Sequence, residues 1–128
     1  MARDTTDNRP IERVDELVAD LAKGCKPKDK WRIGTEHEKF PFYVDGNRPV
    51  PYEGERGIKA VLQGMQRVLG WDAINDDGNI IGLVEPTGQG AISLEPGGQF
   101  ELSGAPLETL HQTCREGNAH LAQLREIA

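Results

Sequence analysis

The chain has 128 residues, a net charge of -6 at pH 7, and 37% hydrophobic against 28% charged residues. This length is enough for one domain with a modest core. The acidic balance argues against a nucleic-acid-binding protein, which needs a basic face, and no apolar stretch is long enough to span a membrane. The N-terminus has the pattern of neither a signal peptide nor an Arg-rich transit peptide, and Cys25 and Cys114 match no metal or redox spacing. These features predict a cytoplasmic protein with free thiols.

The N-terminal region is predicted to contain a short disordered segment followed by a helix. Residues 1–9 are polar and predicted to be disordered, and a single domain is predicted over residues 10–128. The first helix is predicted over residues 10–23, because five apolar residues from Ile11 to Leu21 fall on one helical face. We expect this apolar stripe to cover a sheet.

A strand with two glutamates on one side is predicted over residues 31–40, which open with aromatic and β-branched side chains and are followed by Pro41. Side chains alternate between the two faces of a strand, so Glu36 and Glu38 point the same way, with their Cα atoms about 7 Å apart. A pair of glutamates at this spacing is also typical of a solvated strand face. The pair alone therefore does not define a site.

The rest of the chain is predicted to hold a second helix, a meander of short strands and a final helix. Turn-forming residues separate the strands. The helix is predicted over residues 55–69, the strands over residues 80–85, 91–95 and 99–102, and the last helix from about Pro106 onward. Together these elements predict an α+β fold in which helices flank an antiparallel sheet.

The buried side of the final helix is predicted from its apolar residues, because large apolar side chains at helical spacing usually face the core. Its two histidines, His111 and His120, are predicted to lie on the surface. The predicted buried stripe comprises Leu107, Leu110, Cys114, Leu121 and Leu124.

A second acidic group is predicted at the last hairpin. If residues 96–98 form a three-residue loop, Glu95 pairs with Gln99, and Glu101 shares their face by alternation. No lysine or arginine lies between Gln89 and Thr113 to neutralise these carboxylates. The opposite face is predicted to enter the core and carries Leu94, Phe100 and Leu102.

Acidic side chains without basic partners are either solvated or bind a cation, and the sequence predicts a divalent-cation site. Carboxylate and amide oxygens suit Mg²⁺ or Mn²⁺, and Mg²⁺ leaves coordination positions for water or for the phosphates of ATP. No P-loop and no dinucleotide-binding fingerprint is present, so a nucleotide would bind through this metal. No catalytic side chain is predicted beyond the metal ligands. The predicted ligands are Glu36, Glu38, Glu95 and Glu101, with Gln99 as an accessory ligand for metal or ATP.

Four segments of the chain resemble glutamate–cysteine ligases of the plant and proteobacterial type. They are residues 31–40, 51–54, 93–104 and 110–114, and the resemblance runs in order from about Leu17 to the end. It implies a glutamine-synthetase-like ligase fold with magnesium bound on a curved antiparallel sheet. It further implies that Glu36 and Glu38 match one metal-binding strand, and that Glu95 and Glu101 match another with Gln99 beside them.

The activity implied by the resemblance is the first step of glutathione synthesis. ATP phosphorylates the side-chain carboxylate of L-glutamate, and the amine of L-cysteine displaces phosphate to give γ-glutamylcysteine. Two alternatives stay open from the residues themselves. One is another carboxylate–amine ligase of the same superfamily with a different acceptor. The other is a non-catalytic metal-binding fragment.

The chain is also shorter than the family that it resembles, since family members are several times longer. We therefore expect it to be the N-terminal portion of a catalytic domain and to be inactive alone. An apolar sheet face with too few helices to cover it would favour self-association.

Overall fold

A computed structural model of the chain describes residues 8–128. It contains three α-helices and seven strands. The predicted α+β class is confirmed, while the disorder predicted for residues 1–9 falls largely outside the described residues. Within the described part of the chain, no helix has the length and hydrophobicity needed to cross a membrane. The helices are α1 (Val14–Ala22), α2 (Ile58–Leu69) and α3 (Leu110–Ile127), and the strands are β1 (Glu36–Lys39), β2 (Phe42–Tyr43), β3 (Arg48–Pro49), β4 (Asp72–Asp76), β5 (Asn79–Val84), β6 (Ala91–Glu95) and β7 (Gln99–Ser103).

Five strands form one antiparallel sheet in the order β1-β7-β6-β5-β4, and β2 pairs with β3 in a separate hairpin. Asp77 and Gly78 link β4 to β5 with φ values of 45° and 75°. Positive φ at both central residues is what a two-residue hairpin turn of the primed type requires. In the last hairpin Glu95 pairs with Gln99, as predicted. The predicted meander is therefore confirmed.

The core lies between one face of this sheet and helices α2 and α3. The register of the β4–β5 pair shifts after Ile74. Ile80 and Leu83 on β5 therefore lie on the same side of the sheet, because the residues opposite them share one face of β4. Phe100 and Leu102 are each only 4% exposed, so the expected lack of cover is wrong for these two residues, whereas Ile33 is 40% exposed. The buried hydrophobic residues are Ile58, Leu62, Met65, Ile80, Leu83, Ile92, Phe100 and Leu102.

Helix α3 buries only part of the side that its leucines predict, since Leu124 packs against the core as predicted while the other predicted residues of the helix are exposed. The expectation for His120 is wrong, since it is 3% exposed, whereas Leu110 is 67% and Leu121 41% exposed and Cys114 is also exposed. The absence of a side chain at Gly117 leaves room for the ring of His37 from β1, since a Cβ there would lie 2.9 Å from Nε2 of His37. The buried residues of α3 are Thr113, Gly117 and His120.

The prediction that the stripe of α1 covers a sheet is wrong. The helix is shorter than predicted and starts after Arg13, which makes no side-chain cap. None of its residues is buried, and its apolar side chains are between 48% and 81% exposed. Amphipathic periodicity gives the helix its apolar face, but within residues 8–128 nothing covers that face.

The first strand is also shorter than predicted. Of the predicted residues 31–40, only those of β1 pair with β7, and the segment before β1 has a single isolated bridge between Ile33 and Leu107. The ladder stops because β7 ends at Ser103, after which the Gly104 amide donates a last hydrogen bond of 2.7 Å to the carbonyl of Thr35.

Candidate acidic site on the open sheet face

The face of the sheet opposite the core carries all five predicted ligands. Glu38 on β1 lies directly opposite Glu101 on β7, and Glu101 lies directly opposite Ser93 on β6. The alternation of side chains along each strand then fixes the facing of the neighbours. We call this surface the acidic face; it carries Glu36, Glu38, Glu95, Gln99 and Glu101, with Ser93 and Ser103.

The register brings the five predicted ligands into adjacent rows and not to one point. Glu38 and Glu101 share a row, Glu36 lies one row away opposite Ser103, and Glu95 lies one row away on the other side, opposite Gln99. Since neighbouring strands are about 4.8 Å apart, β1 and β6 are separated by about 10 Å. Consistent with that spread, residues 8–128 contain no group of three or more His, Cys, Asp or Glu side chains placed to hold a metal ion.

Glu101 is the buried glutamate of the acidic face, with 5% of its surface exposed, whereas Glu36 and Glu38 on the edge strand are exposed. Its Oε1 atom accepts a 2.6 Å hydrogen bond from Oγ of Ser103. Oγ of Ser93, across the strand, is buried without a hydrogen-bond partner. Among the described residues none of the predicted glutamates forms an ion pair.

The oxygen donors of this face fit a hard cation whose remaining coordination positions are filled by water or substrate phosphates. Side chains directly opposite in an antiparallel pair have Cβ atoms about 5 Å apart, so the carboxylates of Glu38 and Glu101 can reach the same ion. Mg²⁺ is commonly held by one or two carboxylates together with water and substrate phosphates. The hydroxyl of Ser93 on the same face is buried without a hydrogen-bond partner, and such a position is commonly satisfied by a bound water or ligand.

A sequence model of glutamate–cysteine ligase family 2 matches residues 32–128, which include the whole of the acidic face. The chain belongs to glutamate–cysteine ligase family 2. It is 57% identical over 118 residues to glutamate–cysteine ligase A, chloroplastic, of Oryza sativa subsp. japonica, covering 92% of this chain and 23% of that relative. The corresponding ligases of Medicago truncatula and Arabidopsis thaliana are 56% and 55% identical over 119 residues, covering 93% of this chain and 22% of each relative.

This family member therefore spans less than a quarter of the length of those curated relatives. The relatives also correct one prediction. The lack of a transit-peptide composition in the first residues predicts a cytoplasmic protein, and this prediction is contradicted by these relatives, which are named chloroplastic.

The core side of β1 holds a second polar group, which the sequence did not predict. His37 and Lys39 face α3, where His120 stacks on Phe100 with ring centroids 6.3 Å apart. Burial lowers the pKa of His120 to about 4, helped by the positive charge of Lys39 and by His37. Nε2 of both histidines is buried without a hydrogen-bond partner. Small and polar residues rarely mark a buried helical stripe, so the sequence held only a weak signal for this group.

One groove of the described structure lies away from the acidic face. It has a volume of about 810 Å³ and opens between the β2–β3 hairpin, α2 and the end of α3. None of the predicted ligands lines it. The candidate site is thus an open sheet surface and not a cavity.

Proposed function

We propose that this chain is the metal- and nucleotide-binding sheet of a ligase that joins L-glutamate to L-cysteine. The observation that carries the proposal is the pairing of Glu38 with Glu101 on an acidic face without basic partners. Membership of the glutamate–cysteine ligase family supports the choice of reaction. An acidic surface of this kind suits phosphoryl transfer, in which catalysis consists largely of positioning and charge stabilisation.

The proposed reaction has two steps. The γ-phosphoryl group of ATP passes to the side-chain carboxylate of glutamate, so that the bond to ADP breaks and an acyl phosphate forms. The amine nitrogen of cysteine then attacks the acyl carbon, a C–N bond forms, phosphate leaves and the amine loses a proton. The products are γ-glutamylcysteine, ADP and phosphate, which corresponds to the first step of glutathione synthesis.

The contribution of this chain is to hold positive charge at the phosphates. Glu38 and Glu101 would hold Mg²⁺ or Mn²⁺ between β1 and β7, and Glu36 and Glu95 would extend the acidic face into the rows on either side. Gln99 supplies an amide oxygen next to Glu95 and would act as an accessory ligand. A bound divalent ion supplies charge neutralisation at the transferring phosphoryl group.

The test is Glu101→Gln in a full-length ligase that carries this segment. The substitution keeps the shape of the side chain and removes one ligand charge. Turnover is expected to fall at least about 100-fold, because stabilising charge in the transition state is commonly worth that much. Mn²⁺ affinity, followed by electron paramagnetic resonance, is expected to fall as well. The matched control is Glu126→Gln on the exposed side of α3, which should change neither quantity.

Three outcomes would overturn parts of this proposal. Near-wild-type turnover and Mn²⁺ affinity in the Glu101 variant would remove the metal site from the acidic face. If the full-length enzyme ligates another amine in preference to cysteine in a competition assay, the acceptor is wrong while the phosphoryl chemistry stands. If Glu101→Gln weakens Mn²⁺ binding but the wild type itself has no ligase activity, a non-catalytic metal-binding protein is favoured.

A further inference from the structure

The chain contains only two serines, and both lie on the acidic face next to Glu101. Ser93 is directly opposite Glu101 on β6, and Ser103 is two residues along β7 on the same side. Alternation therefore groups both hydroxyls around one buried carboxylate. A hydroxyl is the smallest side chain that can orient a carboxylate or bind a water molecule.

Ser103 restrains one oxygen of Glu101. Its Oγ donates to Oε1 at 2.6 Å, which is the short distance expected for a charge-assisted O–H···O⁻ bond. With Oε1 held in this way, Oε2 is the oxygen of Glu101 that remains available to bind a cation. Because Glu101 is 5% exposed, its carboxylate has little contact with bulk water that could take over the role of the serine.

Ser93 presents the complementary feature. It is 5% exposed, and its Oγ has no hydrogen-bond partner. Buried hydroxyls without partners are uncommon, since leaving one unpaired costs about 1–3 kcal/mol. Its partner is therefore expected to be something that binds to this face.

From these contacts we propose that Ser103 is a positioning residue for Glu101, and that Ser93 binds a water molecule of the hydrated cation held there. The inference rests on the proposed function, because it needs a cation at Glu101. It adds two residues to the site and divides their roles. Ser103 acts through the carboxylate, whereas Ser93 contacts the hydration shell directly. Such outer contacts commonly change metal affinity by about 10–100-fold.

The experiment measures the Mn²⁺ affinity of a full-length ligase that carries this segment, by electron paramagnetic resonance at pH 7. Four variants are compared with the wild type: Ser103→Ala, Ser103→Thr, Ser93→Ala and Thr87→Ala. Thr87→Ala is the matched control, because Thr87 also donates its hydroxyl to a glutamate two residues earlier, Glu85, but does so in the loop between β5 and β6. Urea unfolding of each variant shows whether the fold is retained.

Ser103→Ala is expected to weaken Mn²⁺ binding about 10-fold, and Ser103→Thr should restore it to within about 2-fold because the hydroxyl returns. A purely structural role for Ser103 would change the urea midpoint and leave the affinity of the folded protein unchanged. Ser93→Ala is expected to weaken binding and to lower the number of water molecules detected on bound Mn²⁺ by proton relaxation. Thr87→Ala should bind like the wild type.

The outcomes separate this inference from the proposed function. If Glu101→Gln weakens Mn²⁺ binding while both serine variants bind normally, the roles of the serines are wrong and the metal site stands. If Thr87→Ala weakens binding as much as Ser103→Ala, the effect is not specific to the acidic face and the inference fails. If the folded wild-type ligase does not bind Mn²⁺, both proposals are overturned.

Discussion

The buried histidine between β1 and α3 predicts a stability that depends on pH. His120 is 3% exposed, stacks on Phe100 and has a pKa lowered from 6.5 to about 4. Burial is the main cause, and the positive charge of Lys39 and the neighbouring His37 add to it. Glu116, which also faces this region from α3, directs Oε1 to the amide of Ala105.

The direction in which the free energy of unfolding changes with pH depends on whether the folded or the unfolded state binds the proton. Between pH 6.5 and about 4, His120 is protonated in the unfolded chain but neutral in the fold, so the free energy of unfolding falls as the pH falls. The full shift corresponds to about 3 kcal/mol, of which about 2 kcal/mol is lost by pH 5. Above pH 7 this contribution is constant.

The assay is urea unfolding at pH 7 and at pH 5 for the wild type and for His120→Phe, which keeps a ring against Phe100 but cannot titrate. Between pH 7 and pH 5 the free energy of unfolding of the variant is expected to fall by about 2 kcal/mol less than that of the wild type. His111→Gln is the matched control, since His111 is an exposed histidine on the same helix and should retain the wild-type pH dependence. An equal pH dependence of the wild type and His120→Phe would refute the reasoning.

Two further predictions concern packing. Gly117→Ala should lower the free energy of unfolding by about 1–3 kcal/mol, although alanine favours helix, because its Cβ would lie 2.9 Å from His37. The control in the same urea titration is Gly34→Ala, since nothing lies within 4 Å of a Cβ there. A stabilised Gly117 variant would show that β1 can move away. Leu17→Ser on the exposed stripe of α1 should change the free energy of unfolding by less than about 0.5 kcal/mol, whereas Leu62→Ala in the core should lower it by about 2–5 kcal/mol. If thermal unfolding shows comparable losses of stability for the two variants, α1 is covered.

The sequence alone determined the elements whose signals are local. Turn residues with positive φ placed the strands of the meander, and Gly70, with a φ of 67°, ended α2 where it was predicted to end. Alternation along a strand then fixed which glutamates share a face. The pairing of Glu95 with Gln99 followed from the length of one loop.

The tertiary structure decided which faces are covered and which carboxylates meet. Only the pairing of β1 with β7 sets Glu38 against Glu101 and leaves Glu36 and Glu95 in other rows, because strand order is not a local property of the chain. The buried side of α3 was likewise set by its partner: the ring of His37 lies against Gly117, while Leu110 and Leu121 stay exposed and Leu124 packs against the core.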